Sequence, residues 1–223
     1  MKNPALNIKP SDDSSRENRF IKSADEYARY LNDENLNILP FKSTTLPHYS
    51  KLPEDRQEAV LAELAFCLDV FRELKMEGLS LRDSSQLLWR TLRKAQLTPC
   101  SDIFDKIGSG DVVCVYSPEH VQTFQNLRFL ELVSLTIEEV YCSEWFKYTQ
   151  RPEWAIKAII EAGSLVFSEK VVKTFDPGIP AHEAQEVATE DEVRIRVKIK
   201  WMSPVTRDGR NAGVIVVNDC EPV

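Results

Sequence analysis

The chain has 223 residues, 43% hydrophobic and 28% charged, a composition that suits a folded globular protein and excludes wholesale disorder. Its formal net charge of -7 speaks against nucleic acid as the main partner, because displacing counterions from phosphates takes a surplus of Lys and Arg. No run approaches the roughly 18 consecutive apolar residues of a membrane span, and Met1 to Asn7 do not lead into an apolar signal segment. A cytoplasmic protein with no membrane role is expected.

Residues 1–50 are polar and interrupted by Pro4, Pro10, Pro40 and Pro47, with a disordered stretch expected at Ser11 to Ser15. Ser23 and Glu26 are spaced as a capping box for a short helix to Leu31. Leu36, Ile38, Leu39 and Phe41 then read as a strap across a core.

A helical hairpin is expected in residues 51–107. Pro53 suits a first helical turn, Glu54 and Asp55 complement the helix dipole, and Leu61, Leu64, Leu68, Phe71 and Lys75 follow at helical steps. Gly78 stops this helix. A second begins at Ser80, with Asp83 completing a capping pattern, carries Leu81, Leu88, Leu92 and Ala95 along one side, and ends at Pro99. Such a pair cannot bury its stripes alone, so it packs on the remaining chain or on a second copy.

Residues 108–223 change character. Asp111 to Tyr116 is a β-branched strand, and Val121 to Phe124 a second short one. Short helical pieces follow from Asn126 to Gln150, with Thr136 and Glu139 as a capping box. Pro152 opens a longer helix whose expected buried face is Ile156, Ile159, Ile160 and Val166, and Gly163 inside it is costly unless packing requires it. Val193, Ile195, Val197, Ile199 and Trp201 alternate with Arg194, Arg196, Lys198 and Lys200, which is a strand with one apolar and one basic face. The basic face is solvated or meets an acidic partner, such as an acidic helix of this same protein. Arg207 to Arg210 forms a longish loop to a last strand, Gly213 to Val217.

Two short strands, several short helices, a longer helix and three strands resemble the PAS fold, a five-stranded antiparallel sheet with helices on one face. The stretch Asn126 to Val140 is similar to the PAS segment that leads into G-Y-T-x-E-E-L, with Leu135-Thr136-Ile137-Glu138-Glu139-Val140 in its place and Ser134 at the glycine position. Trp201 to Asp219 is similar to the final PAS hairpin, which closes on an Asp. Between Lys170 and Asp191 the chain departs from the pattern, with Pro177, Gly178 and Pro180 ahead of a strand placed at His182 to Ala188. The resemblance covers about half the chain and implies an α+β domain that binds a small apolar ligand or acts by dimerisation.

Particular chemistries fit poorly. Flavin photochemistry in that family uses a Cys where Asn126-Leu127-Arg128-Phe129 has Leu127, and the helix from Pro152 to Ser168 offers no His for haem. His182-Glu183 lacks the second His of a zinc-protease motif, since Glu186 stands there, so His182 is expected as an exposed loop or strand residue. His48, His120 and His182 are far apart, and no nucleophile elbow or phosphate loop accompanies them. The five cysteines have no paired spacing and are expected reduced and structural. Trp145, Phe146, Trp154 and Trp201 are expected in the core. A ligand pocket would be walled by Phe146, Ile159, Val197, Ile199 and Trp201, its cofactor or ligand unspecified. The reading is a non-catalytic sensory or regulatory protein, a homodimer or the partner of a signalling protein, complete or a fragment of something longer. The alternatives are a small-molecule enzyme using the same cavity and a ligand-free scaffold.

Overall fold

The computed structural model describes residues 15–118, 121–187 and 193–223. Pro4, Pro10, the stretch Ser11 to Ser14, His120 and the end of the expected strand beyond Val187 lie outside the described residues.

Helix α1, Arg16–Asn32, starts earlier than its expected capping box. Ser15, at the end of the stretch expected to be disordered, is the N-cap and accepts from the Asn18 N–H at 3.2 Å. Ser23 and Glu26 sit inside the helix, and Glu26 reaches across to Arg72 at 2.7 Å. Helix α2, Glu54–Met76, buries Leu61, Leu64, Leu68 and Phe71 as its stripe requires. Gly78 ends it at φ 72°, while the N–H groups of Gly78 and Leu79 donate to the carbonyls of Lys75 and Leu74. That geometry satisfies the last helical carbonyls and needs a residue free to take positive φ. Helix α3, Ser84–Lys94, is capped by Asp83, which accepts from Gln86 N at 3.0 Å. Ser80 therefore does not open it; its hydroxyl donates to Glu34 instead, at 2.9 Å. The helix also stops short of Pro99, because Gln96 turns to φ 57°.

The strands are β1 (Thr98–Pro99), β2 (Val112–Tyr116), β3 (Gln122–Gln125), β4 (Thr149–Gln150), β5 (His182–Glu186), β6 (Arg194–Arg207) and β7 (Arg210–Pro222). They form one antiparallel sheet in the order β3-β2-β7-β6-β5-β4, with β1 also on β6. The protein is thus α+β. Between β3 and β4 run α4 (Leu127–Leu132), α5 (Ile137–Cys142) and α6 (Trp145–Tyr148), and α7 (Glu153–Phe167) lies between β4 and β5. Thr136 and Glu139 form the capping box in both directions at the head of α5. The strap from Leu36 to Phe41 buries Leu36 and Ile38, leaves Leu39 exposed, and offers the Leu39 and Pro40 carbonyls to the first N–H groups of α5.

β6 and β7 are longer than the alternation suggested, and their connection is tight rather than long. Asp208 and Gly209 take φ 51° and 78°, the conformation a two-residue hairpin turn demands. Within β6, Ile195, Val197 and Ile199 are buried and Arg194 and Arg196 exposed, as alternation requires. The ladder to β7 then shifts register between Ile199 and Trp201. This bulge leaves Lys200 without a partner on β7 and turns Trp201 to the opposite face from Ile199.

Cross-strand partners project to the same side. Ile199, Met202, Val214 and Val216 form one apolar layer with Ala162 and Val166 of α7. Val113, Val115, Val205, Ile215 and Val217 belong to the larger core that includes α1, α2 and α3. The buried side of α7 is Ala155, Ala162, Gly163 and Val166, while Ile160 is 42% exposed. Of the expected face, Val166 is thus buried, Ile156 and Ile159 are half-buried, and Ile160 turns outward.

Candidate functional site

Beneath α7 the sheet leaves a cavity of about 50 Å³. Ile159 and Gly163 of α7 form one wall, and Ile199, Met202, Val214 and Val216 form the floor. Tyr116, Trp145, Arg151 and Asn218 supply its polar atoms. Two of the five expected pocket residues, Ile159 and Ile199, therefore meet here. The other three do not line it. Val197 is buried in the larger core. Phe146 is 48% exposed and lines an outer groove with Leu52 and Val140. Trp201 lies across the sheet, where the Lys106 ammonium sits 3.9 Å from its ring centroid. Of the four aromatic residues expected in the core, Trp145 is buried, Trp201 is half-buried, and Phe146 and Trp154 are largely exposed.

The polar end of the cavity is organised by His182 and Arg151. His182 opens β5 and is buried, not exposed as expected, because it alternates inward with Ala184 and Glu186. Its Nδ1 is 3.2 Å from the Pro180 carbonyl, and its Nε2 is 3.1 Å from Arg151 Nη1. A carbonyl can only accept and a guanidinium can only donate, so the ring is neutral with its proton on Nδ1. Burial pushes the His182 pKa down; the Pro180 carbonyl opposes this, and the Arg151 charge adds to it. With both nitrogens engaged, His182 has no free lone pair for general-base work. It orients the guanidinium.

Arg151 precedes the proline that caps α7, where the chain turns from β4 into the helix. Its Cζ stands 5.9 Å from the Trp145 ring centroid. Among the described residues no carboxylate lies within ion-pair distance of Arg151, whose Nε is buried without an acceptor. The same holds for Nε1 of Trp145, a side chain only 9% exposed. Buried N–H groups of this kind cost desolvation energy unless an acceptor reaches them. Sequence reasoning missed Arg151 and His182 as a pair. The inward alternation of His182, Ala184 and Glu186 is the signal that could have placed the histidine.

Nε of Arg90, Nε of Arg128 and Oγ of Ser117 are also buried without partners, while several other polar groups are matched. Glu186 accepts from the backbone and hydroxyl of Ser134 at 3.0 and 2.7 Å. Glu138 accepts from the N–H groups of His48 and Tyr49 at 2.9 and 3.0 Å. The basic strand face divides: Lys198 donates to the Ile179 carbonyl at 3.2 Å, and Lys200 binds Asp111. All five cysteines are free thiols, and burial pushes Cys67 up to about 11 and Cys114 and Cys220 up to about 12. Those three thiols stay protonated and inert. Among the described residues no group of three or more His, Cys, Asp or Glu side chains is placed to hold a metal ion.

A larger groove of about 610 Å³ separates α2 and α3 from the sheet, walled by Phe66, Leu92, Leu97, Val115 and Phe124. It is open, and its charged lining residues are Glu63, paired with Arg56, and Arg207, which donates to the Ala95 carbonyl at 2.9 Å. Among the described residues no helix is long and apolar enough to cross a membrane. A scan against protein-family models, a search of curated proteins and a search of solved structures each found no match.

Proposed function

We propose that this is a non-catalytic sensory or regulatory protein whose PAS-like domain, residues 108–223, holds a small ligand between α7 and the sheet. The observation that carries the reading is the strand order β3-β2-β7-β6-β5. In that order the first two strands of the domain are followed in space by the last, the penultimate and the third. All five pair antiparallel, as the PAS resemblance implies, and β1 and β4 are two-residue additions. Helices α4 to α7, inserted between the second and third of these strands, add support, as does a cavity under the longest of them. A sensor is favoured over an enzyme because the cavity walls are mainly aliphatic and His182 is held as a positioning group.

In this reading the helical hairpin of α2 and α3 mediates dimerisation or passes the signal to a protein partner in the cytoplasm. A second reading, a ligand-free interaction module, draws on Trp154, Ile160 and Leu165 along α7, each more than 40% exposed. Native mass spectrometry of the purified protein, with an absorbance scan, separates the two. Added mass lost on denaturation supports the ligand-binding reading; a bare dimer supports the interaction module.

A further inference from the structure

The ligand-binding reading leaves the chemistry of the ligand open, and the polar end of the cavity narrows it. We propose that the cavity beneath α7 binds a small carboxylate of formate or acetate size, its oxygens accepting from Arg151 Nε–H and Trp145 Nε1–H. The proposal rests on the ligand-binding reading and specifies its ligand class.

Two features converge on an anion. The guanidinium of half-buried Arg151 has no carboxylate partner among the described residues, and its Nε is buried without an acceptor. Two buried N–H groups of different side chains lack acceptors, and a two-oxygen acceptor can satisfy both. Both side chains line the same cavity, and the Arg151 guanidinium lies over the Trp145 ring with Cζ 5.9 Å from its centroid. His182 already engages Nη1, so that nitrogen is not the one left without an acceptor. Neutral acceptors would meet the N–H groups but not the charge, which separates a carboxylate from an amide or alcohol.

Size sets the rest. A water needs about 10–15 Å³ of such space, so a cavity of about 50 Å³ admits a ligand of only a few heavy atoms. Ile159, Met202 and Val214 would receive a methyl group. For so few atoms the dissociation constant should be no tighter than about tens of micromolar.

The test titrates the full chain with sodium acetate and, separately, with acetamide, at constant ionic strength set by sodium chloride. The readouts are the melting temperature and the indole N–H cross-peak of Trp145, assigned by its loss in Trp145→Phe. Acetate is expected to raise the melting temperature saturably and move that cross-peak, with acetamide roughly tenfold weaker or worse. Arg151→Met should remove the acetate response while the other indole peaks keep their positions. Should that variant not fold, the wild-type comparison of acetate with acetamide decides alone. Equal responses to the two probes, or an acetate response retained in Arg151→Met, would overturn the carboxylate and leave the cavity reading standing. No movement of the Trp145 cross-peak with either probe would overturn the proposal and leave the cavity to water. The ligand-binding reading then stands or falls on the native mass.

Discussion

Lys200, the residue left unpaired by the bulge in β6, donates to both carboxylate oxygens of Asp111, at 2.9 and 2.8 Å. Asp111 precedes β2 and also accepts from the Gly108 N–H at 2.8 Å. The ion pair therefore ties the bulge to the entry of the neighbouring part of the sheet. It holds in place the register change that puts Ile199 under α7 and Trp201 on the other face. The Asp111 side chain is 7% exposed and that of Lys200 34%, so the pair is partly screened on one side only.

Lys200→Met should destabilise the protein by about 1–3 kcal/mol, since it strands a buried carboxylate with the Gly108 N–H as its remaining short-range donor. The value lies toward the lower end because solvent reaches the lysine. Lys200→Met combined with Asp111→Asn should recover part of the loss. Urea denaturation of the four proteins gives the coupling energy. Strictly additive costs would mean that the two side chains do not act on each other.

The same pair explains what the sequence could and could not disclose. Alternation from Val193 to Ile199 marks the strand and its buried side, because period two is a local property. The bulge is not local. Its anchoring carboxylate lies 89 residues away in the chain, so extending the alternation to Trp201 assigned that residue to the wrong face. In α7 the helix itself was legible from Pro152 and its apolar residues. Its buried side was legible only in part: Val166 is buried as its spacing suggests, but the burial of Ala155 and Ala162 over Ile160 depends on how the helix is rotated against the sheet, which no local pattern records. Arg151 and His182 escaped notice for a similar reason: nothing within either segment announces the other.

Gly163 offers a separate check on the packing of α7. A Cβ built there would meet the Phe167 ring at 3.8 Å, an ordinary contact, with nothing closer. Gly163→Ala should then stabilise the protein by up to about 1 kcal/mol, the usual propensity difference inside a helix. The methyl group would narrow the cavity at the same time. Thermal denaturation checks the first effect, and weaker acetate binding would accompany it. A lowered melting temperature would mean that the helix needs closer approach than this contact implies.

Glu139 should make stability acid-sensitive. Burial opposes its ionisation, but the Lys42 ammonium at 2.8 Å and the backbone and hydroxyl of Thr136 outweigh that, holding its pKa below the usual 4.5. A carboxylate with a depressed folded pKa contributes stability that is fully present above about 4.5 and is lost as pH falls through the folded value. Glu139→Gln should be less stable than wild type at neutral pH, with the gap closing as the solution is acidified. Urea denaturation along an acid series measures it; a gap constant with pH would rule out this linkage.

His182 should act at higher pH and with the same sign. Its folded pKa lies below the ordinary 6.5, first because of burial, against the opposing Pro180 carbonyl, and further through the Arg151 charge. The unfolded chain then binds the proton more readily than the folded one. The associated stability is complete above about 6.5 and is lost as pH falls through the lower folded value. His182→Gln should flatten the decline between about pH 7 and 5, and the His182 ring resonances in a proton NMR titration should move at a lower midpoint than 6.5. The same titration connects to the cavity. A carboxylate bound against the guanidinium would offset the Arg151 charge, so saturating acetate should move the His182 midpoint upward while acetamide leaves it in place. A midpoint at or above 6.5 without ligand would show that His182 is not the buried neutral ring that orients Arg151, and the geometry of the polar end would have to be redrawn.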